Sequence, residues 1–212
     1  MSKKQLALLV IFIILIADQI LKIWVKTHFY LGQEQKVIGD WFILHFVENR
    51  GMAFGFEFAG RFGKVILTIF RLIAASAIMI YLLKLINKGI PTGLAISIAM
   101  IFAGAVGNIF DSAFYGLIFS DSYGRVAEFL PAAGGYETFL HGSVVDMFFF
   151  PLIKGNWPSW SPINAGESFL FFRPVFNIAD SSITVGISII LLFYRKYFNE
   201  MDKKKETIQE EV

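Results

Sequence analysis

Four runs of mostly apolar residues organise the chain, at about 5–25, 65–86, 93–115 and 175–197. A helix needs about 20 such residues to cross the hydrocarbon core of a bilayer. Each run therefore predicts a transmembrane helix, and Ile90-Pro91-Thr92-Gly93 predicts a tight break between the second and third. Between the runs the pattern changes. Residues 37–47 are rich in β-branched and aromatic side chains and read as one or two strands. Residues 123–141 and 157–166 are rich in Gly, Pro and aromatics, without charge runs or low complexity. Aromatics there suit the headgroup level. The expected fold is one membrane domain over residues 1–212, an all-α four-transmembrane-helix bundle with long outer loops at 26–62 and 116–172 and a tail at 198–212.

The positive charges orient this bundle. Lys3 and Lys4 precede the first run, Lys84 and Lys88 lie between the second and third, and Arg195, Lys196, Lys203, Lys204 and Lys205 follow the fourth. The two long loops are far sparser in Lys and Arg. Positive charge stays on the cytoplasmic side, so both termini are expected inside and both long loops outside. The start has the basic-then-apolar order of a signal peptide. The run continues through Asp18 and Lys22 without a small-residue cleavage site, so it reads as an uncleaved first helix.

Composition narrows the chemistry. Hydrophobic residues make up 56% of the chain and charged ones 17%, against about 25% charged in soluble domains; mean hydropathy is +0.61. This is a membrane protein. The absence of cysteine excludes disulfides, thiol catalysis and zinc-thiolate sites. His28, His45 and His141 share no metal-ligand spacing. No metal, cofactor or nucleic acid is expected.

Against this background the polar residues stand out. An ionised carboxylate in hydrocarbon costs roughly 2.5–3.5 kcal/mol on insertion scales, so a chain keeps one where a partner or a task offsets the cost. Asp18 lies roughly 20 Å along the first helix. Asp111 is near the outer end of the third, Asp180 one to two turns inside the outer start of the fourth, and Asp146 in the outer connection. All four converge on the outer leaflet boundary. Asp18 and Lys22 are four apart and share a helix face, as an ion pair would. Asn108 precedes Asp111, and Asn177 precedes Asp180, by one turn, so an amide can hold a carboxyl group in each motif. Glu48-Asn49-Arg50-Gly51 has turn chemistry. Spacing alone leaves Asp146 and Asp180 open between a catalytic pair and residues that cap helix ends. A proton- or ion-coupled transport subunit would use the same carboxylates. However, a path needs polar groups through the whole thickness, and the second helix offers only Thr68, Arg71 and Ser76. A non-catalytic assembly factor is the third reading.

Five motifs in order resemble the lipoprotein signal peptidases, or signal peptidase II. They are Ala17-Asp18-Gln19 with Lys22; Glu48-Asn49-Arg50-Gly51-Met52-Ala53-Phe54-Gly55; Gly104-Ala105-Val106-Gly107-Asn108-Ile109-Phe110-Asp111; Gly142-Ser143-Val144-Val145-Asp146; and Phe176-Asn177-Ile178-Ala179-Asp180-Ser181. The resemblance implies a bacterial inner-membrane aspartyl endopeptidase with a small extracytoplasmic β-sheet cradle. Its substrates would be prolipoprotein signal peptides carrying a diacylglyceryl-cysteine, met at the membrane lipids by a monomer. Asp146 and Asp180 take the catalytic positions, with Asp18, Lys22, Asn49, Arg50, Asn108, Asp111 and Asn177 in support. Two departures stand out. Ser112 replaces the arginine usual after the aspartate matching Asp111, a role that Arg125 or Arg173 could supply. The stretches 114–141 and 151–171 are longer than the family usually has.

Overall fold

The computed structural model describes residues 1–50, 60–162, 164–171 and 173–197. The Gly51-Met52-Ala53-Phe54-Gly55 part of the second motif and the lysines at 203–205 lie outside the described residues. Four helices, Lys3–His28, Gly63–Asn87, Thr92–Ile118 and Ile178–Tyr197, are long and apolar enough to cross a membrane. The chain runs α1 (Lys3–His28), β1 (Glu34–Ile38), β2 (Phe42–Asn49), α2 (Gly60–Asn87), α3 (Thr92–Phe110), a π-helical turn (Asp111–Tyr115) and α4 (Gly116–Ile118). It continues with β3 (Val144–Phe149), β4 (Ile153–Asn156), β5 (Ser168–Phe171), β6 (Val175–Phe176), α5 (Ile178–Ile189) and a second π-helical turn (Ile190–Tyr194).

Local chemistry explains the helix ends. Ser2 and Gln5 form a reciprocal cap on α1, Gln5 N donating to Ser2 Oγ at 3.2 Å and Ser2 N to Gln5 Oε1 at 2.8 Å. Gly89, at φ 80°, ends α2. Its N–H reaches Ile86 O at 3.0 Å and that of Ile90 reaches Leu85 O at 3.4 Å, which satisfies carbonyls the helix end would leave bare. Pro91 then admits the start of α3.

Two compact units emerge. The first comprises Met1–Asp18, Ile69–Ile109 and the chain from Ile178. Its core holds Ala7, Ile11, Leu82, Leu85, Ile90, Leu94 and Ile98 among others, while Leu8, Phe12, Ile13, Phe70 and Ile73 face outward as lipid-compatible surface. Lys3 Nζ donates to Ile90 O at 2.7 Å, bringing the N-terminus to the α2–α3 turn. Small residues let α3 and α5 approach closely. A Cβ on Gly104 would collide with the Ala179 carbonyl, and one on Gly186 with that of Ser97. Ser182 Oγ donates to Met100 O at 2.5 Å across the same contact. Gly104→Val should therefore overpack a backbone contact and cost about 1–3 kcal/mol, read as a lower thermal unfolding midpoint in detergent. A midpoint equal to wild type would show that α5 yields freely at this position.

The second unit comprises Gln19–Thr68 and Phe110–Asn177. It holds an antiparallel sheet in the order β1-β2-β3-β6 and a separate β4–β5 hairpin. The expected strand region at 37–47 thus takes in the end of β1 and most of β2. Leu44 pairs with Phe148 and Val47 with Asp146, so β2 carries one extra residue, a bulge beside Asp146. Phe46, fully buried in this bulge, joins Val25, Phe29, Tyr115, Phe119, Val145 and Met147 in the core. The long segment after α4 follows the helix end. N–H groups of Gly142, Leu140 and Glu137 donate to carbonyls of Ser112, Ala113 and Gly116 at 2.9, 3.2 and 2.9 Å. A widened π turn and a helix end leave such carbonyls short of partners, and the insert supplies the donors.

Two expectations are corrected. Glu48 and Asn49 are not a turn; they end β2, paired with Val145 and Val144, because β3 offers an edge no local pattern reveals. Asp180 is the third residue of α5, in its first turn and not one to two turns inside, because Val175 and Phe176 are spent on β6.

Candidate active site

In the second unit, β3 presents Asp146, which is 3% exposed. Asn177 Nδ2 donates to Asp146 Oδ1 at 2.7 Å and also to Val145 O at 3.3 Å. Asn49 Nδ2 donates to Asp146 Oδ2 at 3.3 Å. Each carboxylate oxygen thus accepts an amide N–H. Arg50 follows Asn49 and is exposed.

Behind β3 lies a buried ion pair. Lys22 Nζ meets Asp111 Oδ2 at 2.8 Å, with both side chains fully buried. Gln19 Nε2 donates to Asp111 Oδ1 at 2.9 Å, and Tyr115 O–H to Gln19 Oε1 at 3.1 Å. Val145 N–H donates to Asp111 Oδ2 at 3.3 Å. Asp111 therefore pins the backbone one residue before Asp146.

In the first unit, Asp180 opens α5 and accepts from Asn108 Nδ2 at 2.7 Å. Asp18, 1% exposed, accepts the backbone N–H of Ala179 at 2.9 Å. That N–H belongs to the first turn of α5 and has no helical acceptor of its own, and a carboxylate is the favoured partner there. Gly107 leaves room: a Cβ there would lie 2.9 Å from Asp18 Oδ2. Both amides thus serve a carboxylate in a different motif, Asn108 for Asp180 and Asn177 for Asp146. Among the described residues, no three His, Asp or Glu side chains gather as metal ligands.

A family model described as Signal peptidase (SPase) II matches residues 10–196. The chain belongs to this family. It is similar to a lipoprotein signal peptidase of Porphyromonas gingivalis, 47% identical over 98% of this chain and 90% of the relative. It is also similar to one of Amoebophilus asiaticus, 34% identical over 92% of this chain and 79% of that relative. Two solved structures of a bacterial membrane enzyme share the fold. One has a TM-score of 0.58 at 24% identity, covering 91% of this chain and 94% of the other; the second has a TM-score of 0.57 at 23% identity, covering 92% and 91%.

Within this signal peptidase II, Ser112 is 2% exposed, and its carbonyl is taken by Gly142 N–H. Arg125 is exposed and paired with Asp121, whose carboxyl it holds below the usual range. His141 is a loop residue whose carbonyl accepts from Lys64 Nζ at 2.7 Å. Sequence reasoning missed Tyr115 and the role of Gln19, and it missed Lys26 and Glu48, an ion pair whose lysine is fully buried. A signal existed: Asp18, Lys22 and Lys26 recur every four residues, a polar stripe on an apolar helix.

Proposed function

We propose that the chain is an aspartyl endopeptidase that removes the signal peptide from diacylglyceryl-modified prolipoproteins, with Asp146 and Asp180 as the catalytic pair. The observation that carries this reading is the treatment of the two carboxylates. Each is held by an asparagine amide, and Asn177, the donor to Asp146, stands three residues before Asp180. The covalent chain limits that step to about 10 Å.

Two close carboxyl groups cannot both ionise cheaply, so the pair shares a proton. The ionised member takes a proton from water, which attacks the scissile carbonyl, while the protonated member donates to the carbonyl oxygen. The roles reverse as the tetrahedral intermediate collapses and the amine leaves. The pair titrates as a unit. Asn49, Asn108 and Asn177 orient the carboxyls, and Lys22, Asp111 and Asp18 hold the elements beneath them. Both carboxylates come from one chain, so a monomer suffices.

The substrate fits the location. A diacylglyceryl anchor holds the cleavage point at the membrane surface. Lys3 meets the α2–α3 turn, where Lys84 in the last turn of α2 and Lys88 in the turn itself lie close by in the chain, so positive charge gathers at one end of the bundle. That end is cytoplasmic by the positive-inside rule, and the site then opens to the outer leaflet of a bacterial inner membrane.

The test is cleavage of a lipidated precursor peptide by purified protein in detergent, followed by mass spectrometry, with and without a chelator. Cleavage on the amino side of the lipidated cysteine, unaffected by chelation, is expected. A rate lost on chelation and regained with metal would sink the aspartyl reading, and no cleavage at all would favour transport. In the same assay Arg50→Ala should lower kcat/KM about tenfold, the weight of one charge-assisted hydrogen bond to substrate backbone or lipid ester. Unchanged turnover would remove Arg50 from the site.

A further inference from the structure

A second buried cation lies near Asp146 without serving it directly. Lys26 follows Lys22 by one helical turn and is fully buried. Its ammonium pairs with Glu48 and donates to Ser122 Oγ at 3.0 Å. Ser122 Oγ in turn donates to Glu48 Oε1 at 3.3 Å. The rings of Tyr136, Phe119 and Phe46 stand 4.8, 5.5 and 5.8 Å from the ammonium. A lysine has three N–H donors and no acceptor; here two acceptors, Glu48 and Ser122, and three aromatic rings surround it. Its walls come from the bulged end of β2 and from the long insert after α4.

The same insert grips both strands of the site. On β2 it holds Glu48 through Ser122. At β3 the Tyr136 hydroxyl accepts the N–H of Ser143, immediately before the strand, at 2.7 Å. Successive residues of a strand point to opposite faces. Glu48 therefore faces the cage while Asn49, the last residue of β2, shares the face of Val47 and its partner Asp146. Fixing Glu48 on one face fixes where the Asn49 amide meets Asp146 on the other.

We propose that Lys26, Glu48 and Ser122 are positioning residues: through them the insert at 119–142 clasps the end of β2 and holds Asn49 on Asp146. None of the three reaches the reacting atoms. The proposal rests on Asp146 being catalytic.

The test uses the full chain and the lipidated peptide. Glu48→Gln should lower kcat about tenfold, since small misplacements at a reacting centre cost this much or more, while KM stays within about twofold. The decisive comparison is a cycle with Asn49→Ala. If Glu48 acts through Asn49, the double variant is no slower than Asn49→Ala alone. Effects that multiply, or an unchanged kcat in Glu48→Gln, overturn the proposal. Should Glu48→Gln fail to fold, Ser122→Ala carries the same cycle with the ion pair intact. It should slow turnover measurably, with recovery in Ser122→Thr, and no slowing or no recovery overturns the proposal. Asp146→Asn is run alongside. If it keeps the wild-type rate, the dyad reading falls and the clasp with it. If it abolishes cleavage while the clasp variants do not alter kcat, the clasp alone falls.

Discussion

Asp146→Asn and Asp180→Asn should each lower the rate of prolipoprotein cleavage by at least about 10²–10⁴-fold, the usual weight of a general acid–base group. Both variants should still fold. Asn177 is committed by its second bond to Val145 O, so a carboxamide at 146 would turn its oxygen toward Asn177 and its NH₂ toward Asn49. One weak amide contact is lost, worth about 1 kcal/mol. Asp180 accepts from Asn108 through one oxygen, which a carboxamide oxygen can replace. The activity loss should therefore far exceed any loss of stability. The double variant should be no slower than either single one, because residues that act as a unit fail together. Wild type should show a bell-shaped pH profile from the shared proton. Either single variant retaining substantial turnover would refute the pair.

The spans were legible because bilayer thickness imposes a length of apolar chain that composition alone displays. β2 was legible for a similar local reason, its β-branched and aromatic content, whereas only Val37 and Ile38 of β1 carried that signal. β3 and β6 were not. Apart from Asp146, β3 is apolar on both faces, and two residues of β6 are too few for a pattern, so β3 is defined by its pairing with β2 and β6 by its pairing with β3. The carboxylates were legible as expensive residues, but their partners were not. Lys22 finds Asp111 across 89 positions, and Asp18 caps an N–H 161 residues away. Local spacing proposes an amide for each aspartate within its own motif, whereas the fold assigns Asn108 to Asp180 and Asn177 to Asp146. The part of the insert at 119–141 carries neither periodicity nor a motif. Its carbonyl-matching N–H groups have meaning only once the π turn at 111–115 exposes the acceptors.

Lys22→Met should destabilise the protein more than any substitution at the proposed catalytic positions. Methionine fills nearly the same volume, so little packing is lost. What is lost is the ammonium that meets Asp111, and the carboxylate stays fully buried, with Gln19 and Val145 N–H still among its donors. Breaking a buried pair in this way costs about 3–5 kcal/mol. At about 2–4 °C per kcal/mol for a chain of this size, the unfolding midpoint should fall by about 6–20 °C. Asp111→Asn is the informative partner. It removes the charge but keeps one carbonyl acceptor, so Lys22 loses the carboxylate it meets at 2.8 Å. Cleavage should drop in both variants, since Val145 N–H is anchored on Asp111 and Asp146 follows it in the strand. The pattern separates support from chemistry: Lys22→Met loses midpoint and rate together, whereas Asp146→Asn loses rate with the midpoint nearly intact. Equal midpoints for Lys22→Met and wild type would mean that lipid or water compensates Asp111, and the pair would then no longer count as the anchor of β3.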